Sequence, residues 1–388
     1  MNILIIIFYL CILLILHTYI FYPLSIKLLT IFYHKNYKEE NDFKPQISIL
    51  ISAYNEEKTL EKTIFNLIES DYPSDKLEII VGSDNSIDGT NEILKKMGEK
   101  YQNLKYVLFD KRRGKKFVIN DIVKLARGEI LVFSDSNTIY KKDALKNLIK
   151  YYTDPRVGGV CGRLKLIEST DNFETGNQEK KYWDYESWIK NNEGKLGILI
   201  GANGGIYSIK RNLFIPMPES EPVVDDLYLS LKILEMGKDF IYTTEAEAVE
   251  TISPKVKSEF DRKVRIMPRN LETLKHTKSL IFSSRLLISY ALWSHKIIRW
   301  FSPILFLLLF GLNMILFQSA GIFKILFYSQ LLVYFCVLIG FVLNRMNLKI
   351  VPFLMIYYFF ITNVALIVGL QKYLLKTHKS IWEPTPRA

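Results

Sequence analysis

Four long apolar stretches without a charged side chain constrain this sequence more than any other feature. They cover residues 3–26, 301–323, 325–344 and 350–371. Each is long enough to cross a hydrocarbon core, which takes about 20 helical residues. A single stretch would also suit a buried core helix, but four in one chain indicate an integral membrane protein. The first has no basic leader and no small-residue cleavage site, so we expect a retained anchor.

Basic residues at both edges of the polar middle predict its orientation. Lys27, Lys35, Lys38 and Lys44 precede it, and Lys275, Lys278, Arg285, Lys296 and Arg299 follow it. Because excess Lys and Arg mark the cytoplasmic side, we expect a multi-pass protein of the plasma (inner) membrane whose middle is cytoplasmic. Four crossings would place the tail outside, yet it carries Lys372, Lys376, Lys379 and Arg387. Either the tail breaks the rule or one C-terminal stretch does not fully cross.

The predicted organisation has five parts. They are an anchor (1–33), a globular domain (44–253), a basic segment with an amphipathic interface helix (254–299), three hydrophobic spans (300–374) and a tail (375–388). The net charge of +11 favours anionic partners. Nucleic acid would explain that charge but not the four spans, so we expect a lipid bilayer and phosphorylated substrates instead.

Apolar runs of strand length alternate with amphipathic helical patterns in the globular domain. The predicted strands are 47–53, 77–81, 104–109, 130–133, 157–161, 206–209 and 240–243, and Pro268 should end or kink a later helix. Strands alternating with helices predict βαβ units and a mostly parallel, Rossmann-like α/β sheet.

Polar side chains follow three of these strands where the chain leaves the core. Tyr54-Asn55-Glu56 opens a helix after the first strand, Asp84 follows the second, and Asp135 and Asn137 follow the fourth. Ligands of open parallel sheets bind outside the carboxyl ends of the strands. Oxygen-bearing side chains at i and i+2 suit a hard divalent cation. Each motif alone is equally typical of an ordinary turn.

Together and in this order, these motifs resemble glycosyltransferase family 2. The resemblance covers residue 46 to about residue 269 and rests on Ser-Ala-Tyr-Asn-Glu (52–56), Ser-Asp-Asn-Ser-Ile-Asp-Gly-Thr (83–90), Gly-Lys-Lys (114–116) with Asn120, Gly-Glu-Ile-Leu-Val-Phe-Ser-Asp-Ser-Asn-Thr (128–138), Gly-Ala-Asn-Gly-Gly (201–205), Asp225-Asp226 and Arg262-Lys-Val-Arg265. With the flanking spans, it looks like the membrane-bound polysaccharide-synthase branch, which includes cellulose, hyaluronan and poly-N-acetylglucosamine synthases.

The resemblance implies a GT-A fold, a nucleotide-diphospho-sugar donor, UDP-linked by preference, and Mg²⁺ or Mn²⁺. Asp135 and Asn137 match the family's Asp-x-Asp, whose metal neutralises charge on the departing diphosphate. An arginine fork suits the pyrophosphate better than an ammonium does. The implied donor-binding residues are Ala53, Tyr54, Glu56, Asp84, Lys115, Asp135, Arg262 and Arg265.

The resemblance also implies an inverting reaction that forms a β-linkage. Asp226 matches the base that deprotonates the acceptor hydroxyl. The residues expected on the acceptor side are Asp225, Asn203, Gly204, Trp183 and Trp188. The two tryptophans are equally compatible with helix packing, and 262–265 with a polybasic strip at the membrane surface.

Three departures from the family pattern keep alternatives open. Asn137 replaces a second Asp and removes one charge from the metal site, and the acidic motif is Val-Asp-Asp rather than Thr-Glu-Asp. Ile266 stands where a Trp would stack on the acceptor sugar, so single-sugar transfer to a lipid remains an alternative to extension of a polysaccharide or other glycan. A catalytically inactive nucleotide-sugar sensor is a second alternative. A channel is disfavoured because none of the four stretches contains a charged residue.

Overall fold

The computed structural model describes residues 1–167, 176–251, 256–346 and 348–377. The strands are β1 (Ile47–Ala53), β2 (Leu77–Ser83), β3 (Leu104–Leu108), β4 (Ile130–Ser134), β5 (Ile139–Tyr140), β6 (Val157–Ile167), β7 (Tyr207–Lys210) and β8 (Asp239–Thr251). The helices are α1 (Asn2–Leu16), α2 (Tyr22–Phe32), α3 (Leu60–Ile68), α4 (Thr90–Lys100), α5 (Lys115–Val123), α6 (Ala144–Ile149), α7 (Gly176–Lys195), α8 (Asp225–Glu235), α9 (Val256–Lys275), α10 (Leu286–Ala291), α11 (Ile298–Leu316), α12 (Gly321–Arg345) and α13 (Val351–Leu374).

The strands form one eight-stranded sheet in the order β3-β2-β1-β4-β7-β6-β8-β5. Four neighbouring pairs are parallel, β1 with β2 and β4, β2 with β3, and β6 with β8, whereas β7 and β5 run antiparallel to their neighbours. The predicted α/β, mostly parallel sheet is confirmed. The chain passes outward from β1 to β3 and then returns to β4 on the other side of β1, which creates a switch point between β1 and β4.

Strand β1 is apolar except for Ser48 and Ser52, because both of its faces are buried. Ile47, Ile49 and Ile51 belong to one core cluster, and Leu50 belongs to the other. A strand covered on both faces carries a near-continuous apolar run rather than an alternating one. Its register aligns Ala53 with Ser83 of β2, so the residues that follow β1, β2 and β4 reach the same edge of the sheet.

Some predicted boundaries differ from the structure. The helix after β1 begins at Leu60 rather than at Tyr54, because Asn55 adopts a left-handed backbone with φ of 54°. Strands β6 and β8 extend well beyond the predicted 157–161 and 240–243, since they pair with each other in parallel along most of their length.

Helix α9 continues through Pro268, so of the two predicted outcomes, an end or a kink, the helix end is wrong. A proline removes the hydrogen bond from its own position to the carbonyl four residues earlier, here that of Val264. Helix α13 packs directly against this carbonyl through a glycine: a Cβ added at Gly369 would lie 2.9 Å from Val264 O. The close approach of two helices covers the position where the hydrogen bond is missing.

Four described helical stretches are long and apolar enough to cross a membrane, namely Asn2–Phe32, Leu286–Leu316, Gly321–Arg345 and Val351–Leu374. The second includes residues that the sequence assigned to a separate interface helix ending near residue 299. That boundary is not observed, because α10 passes into α11 through a helical segment, Leu292–Ile297, without a break.

The last helix, α13, runs antiparallel to α11. Ser302 donates to Asn363 at 3.1 Å, and Phe306 meets Phe359 with ring centroids 5.9 Å apart. At its C-terminal end, α13 reaches α9, where the Lys275 ammonium lies 5.1 Å from the centre of the Tyr373 ring. The C-terminal end of α13 therefore lies against α9.

Candidate active site

The carboxyl ends of β1, β2 and β4 open into a cavity of about 500 Å³. Helices α7, α8 and α9 cover its other sides. The lining includes eleven of the residues predicted from the sequence: Tyr54, Asp84, Lys115, Asp135, Trp183, Asn203, Gly204, Asp225, Asp226, Arg262 and Arg265. Ala53, Glu56, Asn137 and Trp188 are not among its lining residues.

Lys115 forms ion pairs with two carboxylates of the cavity lining. Its ammonium lies 2.8 Å from Asp135 Oδ1 and 2.9 Å from Asp225 Oδ2. Burial alone would lower the pKa of Lys115, but the two carboxylates outweigh it and hold this pKa above the ordinary value of a lysine. Lys115 therefore stays cationic, in a position to face an anionic group of a ligand.

Asp226 lies in the first turn of α8. Its Oδ1 accepts the backbone N–H of Leu227 at 2.7 Å. Burial and the neighbouring charge of Asp225 raise the pKa of Asp226 to about 6, against the opposing effects of Lys190 and Lys115. A carboxylate with a pKa near the working pH is suited to accept a proton.

Gly204 marks the centre of the site. A Cβ added there would lie 3.6 Å from Asp135 Oδ2, 3.6 Å from Asp226 Oδ2 and 4.0 Å from Lys115 Nζ. The side chain that glycine lacks thus leaves an open volume between the two carboxylates. A reacting group in this volume would be within reach of both.

Asp84 has a more structural position than the sequence suggested. It is 2% exposed, and its two oxygens accept the backbone N–H groups of Arg113 and Gly114 at 2.8 and 2.7 Å. Gly114 has φ of 100°, a conformation that favours glycine. Asp84 therefore fixes the loop that presents Lys115.

The other residues after β1 divide between the cavity and the core. The Tyr54 ring lies in the cavity with the Arg112 guanidinium 3.6 Å from its centre. Ala53 is fully buried. Glu56 accepts the Thr59 hydroxyl at 2.8 Å, just before α3. Direct donor contacts by Ala53 and Glu56 remain predictions from the resemblance.

The turn after β4 supplies the predicted cation ligands. Asp135 presents a carboxylate to the cavity, whereas the Asn137 amide donates to Glu250 Oε1 at 2.9 Å. The Asn137 Oδ1 is buried and accepts no hydrogen bond. No cluster of three or more His, Cys, Asp or Glu side chains in the described residues is arranged for a metal. The Asp135 carboxylate nevertheless fits a hard cation that completes its shell with ligand phosphates, and a role for Asn137 as a second ligand stays a prediction.

Helix α9 directs a row of arginines into the cavity. The Arg262 Nε atom lies 2.5 Å from Glu259 Oε2. Burial, together with the charges of Arg269 and Arg262, lowers the pKa of Arg265 to about 10. Arg269 also lines the cavity. No sequence motif pointed to Arg269, although its spacing of four from Arg265 places it on the same helical face.

The acceptor-side predictions have mixed outcomes. Trp183 lines the cavity while its indole N–H donates to Leu164 O at 2.6 Å, but Trp188 is 37% exposed and lies outside it. Asn203 is buried between Gly162 O, to which its amide donates, and the Lys190 ammonium, which donates to its Oδ1. Lys190 and Lys296 also line the cavity, and no sequence motif pointed to either.

Comparison with known proteins is consistent with this geometry. Residues 48–214 match the family described as Glycosyl transferase family 2. The chain is 27% identical over 200 residues to a beta-monoglucosyldiacylglycerol synthase from Trichormus variabilis, covering 50% of this chain and 42% of that protein. It is 26% identical over 199 residues to a poly-beta-1,6-N-acetyl-D-glucosamine synthase from Staphylococcus epidermidis, covering 50% and 47%. The chain thus spans less than half the length of these curated relatives.

Among solved structures, the mannosyltransferase PcManGT from Pyrobaculum calidifontis, in complex with GDP-Man and Mn²⁺, superposes with a TM-score of 0.72 at 19% identity. The superposition covers 96% of this chain and 100% of that one. The likeness shows that this chain has the GT-A fold.

Proposed function

We propose, from the membership of residues 48–214 in glycosyl transferase family 2, that this chain is an inverting, membrane-embedded glycosyltransferase. It would move a sugar from a nucleotide-diphospho-sugar, UDP-linked by preference, to an acceptor hydroxyl. The observation that carries the proposal is the open volume at Gly204, which faces Asp135 on one side and Asp226 on the other.

Asp226 is the proposed general base. The acceptor oxygen forms a bond to the anomeric carbon while the bond from that carbon to the diphosphate oxygen breaks, and the hydroxyl proton passes to Asp226 Oδ2. Attack opposite the leaving group inverts the anomeric centre, so an α-linked donor gives a β-linkage. Asp226 Oδ1 stays bonded to the Leu227 N–H, which orients the carboxylate.

Cationic side chains on the opposite side of the cavity would bind the diphosphate. Lys115 already lies between two carboxylates, and Arg265 and Arg269 enter from α9. Charges fixed in advance stabilise a developing anion more effectively than water, which must reorient. Mg²⁺ or Mn²⁺ at Asp135, with Asn137 beside it, would add charge to the same group.

The helix contacts support three crossings, with the catalytic domain and the end of α13 on the same, cytoplasmic side. Near its start, α12 contacts α1, where the Phe323 and Phe8 rings lie 5.3 Å apart. Near its end, Phe341 lies 6.0 Å from Tyr357, still on the half of α13 remote from α9. We infer that α12 remains in the distal part of the bilayer, which would place the basic tail inside.

The first test is nucleotide release by the purified protein in detergent, with UDP-, GDP- and dTDP-sugars and Mg²⁺ or Mn²⁺. We expect metal-dependent release from one donor, lost in Asp135→Ala and Asp226→Asn and retained in Asp71→Asn, a half-exposed control. Binding of a donor without release of nucleotide, in the presence of lipid and glycan acceptors, would instead support the sensor alternative.

Orientation can be tested by cysteine labelling in a Cys336→Ser background, since Cys11 and Cys161 are buried. An impermeant maleimide should label Lys376→Cys and Lys38→Cys from the same side of the membrane, and Ser319→Cys from the other. Labelling of Lys376→Cys together with Ser319→Cys would contradict three crossings and restore four.

A further inference from the structure

A second cavity, of about 430 Å³, adjoins the catalytic one. The two cavities have eight lining residues in common, so they adjoin along a shared border. The side chains that line both are Trp183, Lys190, Asn203, Arg262, Ile266, Asn270, Lys296 and Trp300. This border includes Asn203, the residue next to Gly204, so a ligand that crosses it would have one end beside the open volume.

The far part of this second cavity lies between membrane helices. On α13 it extends from Leu366 to Met355, a length of about 16 Å at roughly 1.5 Å per residue. Tyr358 and Phe359 line this part, and Tyr19 of the first apolar stretch faces them. An apolar chain is the ligand that such walls accommodate.

The near part lies at the level of the lipid headgroups. The helical stretch Leu286–Leu316 has 31 residues, which gives about 46 Å at roughly 1.5 Å per residue, whereas the hydrocarbon core is about 30 Å thick. Its first turns, which contain Lys296, contact α7 of the globular domain through His295 and Glu193, so we assign this end to the headgroup region.

Two lysines at the junction of the cavities have no acidic partner. Lys190, 8% exposed, donates to Ala202 O at 3.1 Å and to Asn203 Oδ1 at 2.7 Å. The Lys296 ammonium lies 3.4 Å from His295 Nε2. Among the described residues, no carboxylate lies within 4.0 Å of either ammonium.

The nearby carboxylates are already occupied. Glu186 pairs with Arg299 and, at 3.0 Å, with His295. Glu193, fully buried, accepts the Tyr22 hydroxyl and lies 2.6 Å from His295 Nδ1. Burial would raise the pKa of both carboxyls, but their cationic and hydrogen-bonding partners hold these pKa values below the ordinary range. Since buried charges require partners, the two lysines leave a place for an anion.

We propose that the acceptor is a membrane lipid with a phosphate in its headgroup. The phosphate binds between Lys190 and Lys296, the apolar chain lies along Tyr358 and Phe359, and a hydroxyl beyond the phosphate reaches Asp226. This inference rests on the proposed function for the last step alone, because recognition of the lipid needs no donor and no turnover.

The donor diphosphate is the other phosphate that could meet these lysines, but the geometry places it elsewhere. The proposed diphosphate ligands Lys115, Arg265 and Arg269 line the catalytic cavity and not the second one, whereas Lys190 and Lys296 line both. Ile266 lines both cavities, and an aliphatic side chain at the junction suits passage of a lipid headgroup better than stacking of a sugar polymer.

The test is lipid binding by the full-length protein in detergent, without nucleotide sugar. The probes are geranylgeranyl phosphate, geranylgeraniol and inorganic phosphate, with affinities measured by thermophoresis. We expect the lipid phosphate to bind at least tenfold more tightly than the alcohol of the same chain, and inorganic phosphate to bind more weakly than either. Equal affinities for lipid phosphate and alcohol, or tight binding of inorganic phosphate alone, would overturn the proposal.

Variants locate the two halves of the site. Lys296→Gln should bring the affinity for the lipid phosphate down to that of the alcohol and leave nucleotide binding within twofold, whereas Lys324→Gln, a lysine on α12 outside both cavities, should change nothing. Thr362→Phe, which fills the chain-binding part, should weaken both lipids. An equal loss of nucleotide and lipid phosphate binding in Lys296→Gln would assign the lysines to the donor.

If lipid phosphate binds as expected while the nucleotide-release test fails, the lipid site stands and the proposed transferase activity does not. The reverse outcome removes the lipid site and leaves the activity.

Discussion

The donor side and the acceptor side of the cavity are built in different ways. Most residues proposed for the donor side follow strands β1, β2 and β4 and come from one continuous stretch of the chain, residues 54–135, and only the arginines of α9 come from elsewhere. Acceptor-side residues come from α7, α9, α11 and α13 and from the first apolar stretch, which lie far apart in sequence. The first side is therefore a set of turns on a rigid sheet, and the second is a product of helix packing.

The two sides also handle charge differently. Lys115 and its carboxylate partners are partly exposed in an open cavity. An anionic ligand can therefore take the place of a carboxylate beside Lys115. Glu193 and His295 are completely buried. Their contact holds α7 against the apolar helical stretch Leu286–Leu316. The proposed donor side thus has ion pairs that a ligand can reach, whereas the ion pair beside the proposed acceptor side is closed to solvent.

The largest loss of turnover should come from substitution of Asp226, which lies between the two sides of the cavity. We expect Asp226→Asn to lower turnover by about 10³-fold, since a general base contributes about 10²–10⁴-fold. Donor affinity should stay within about threefold, because the amide preserves size and the contact with the Leu227 N–H. Single-turnover kinetics and nucleotide binding measure the two effects separately. Unchanged turnover would show that the base lies elsewhere.

The second effect should come from filling the open volume between the two sides. Gly204→Ala adds a methyl group 3.6 Å from both carboxylates, a distance at which no clash threatens folding. Because displacing reacting groups by about 1 Å can cost about 10²-fold, we expect a loss of this size in turnover with an unchanged melting temperature.

Gly311→Ala is the matched control for that variant, since a Cβ at Gly311 meets nothing within 4 Å. It should retain full activity. Comparable activity in the two glycine variants would mean that reaction does not take place at Gly204.

The third effect is the pH dependence of kcat/KM, which the Asp226 carboxylate should set. With the pKa of Asp226 at about 6, the carboxylate form decreases about tenfold per pH unit below that value. We therefore expect kcat/KM to be nearly constant above pH 7 and to be about tenfold lower at pH 5. Initial rates from pH 5 to 8, with stability followed in parallel, give the profile. A profile without a decrease below pH 6 would rule out Asp226 as the titrating group.

The smallest effect should come from the helix contact that supports the acceptor side. A Cβ at Gly369 would lie 2.6 Å from Met267 Cβ and 2.9 Å from Val264 O, so Gly369→Ala must push α13 away from α9. Overpacking of this kind costs about 1–3 kcal/mol. Thermal unfolding should show the loss, and lipid binding should weaken while nucleotide binding does not.

Gly321→Ala, where an added Cβ meets nothing within 4 Å, serves as the control and should leave both stability and lipid binding unchanged. If Gly369→Ala weakened nucleotide binding as strongly as lipid binding, the two sides of the cavity would not be separable.

The donor side was largely predictable because its signals are local. An apolar run followed by a polar turn predicts a strand end at one sheet edge, and this placed Tyr54, Asp84 and Asp135 in the same cavity. What the pattern did not predict is how each side chain is used. Asp84 binds the backbone of a different loop, the one before α5, and this contact depends on a φ of 100° at Gly114 that no spacing reveals.

The acceptor side was mostly not predictable because its signals are not local. Lys190 and Lys296 lie in unrelated segments and are brought to one junction by the packing of α7 against the second membrane stretch. Trp188 was expected on the acceptor side together with Trp183. The orientation of α7 leaves Trp188 exposed, since a helix places two residues that are five apart on different faces.

The sequence by itself determined the α/β sheet, the four apolar stretches and the order of the motifs along the chain, because hydrophobic period and turn chemistry act over a few residues. The tertiary structure alone decided that α9 continues through Pro268, that α13 returns to the globular domain, and that a second cavity joins the first. These features depend on contacts between segments that are tens to hundreds of residues apart, and such contacts leave no periodic signal in any one of them.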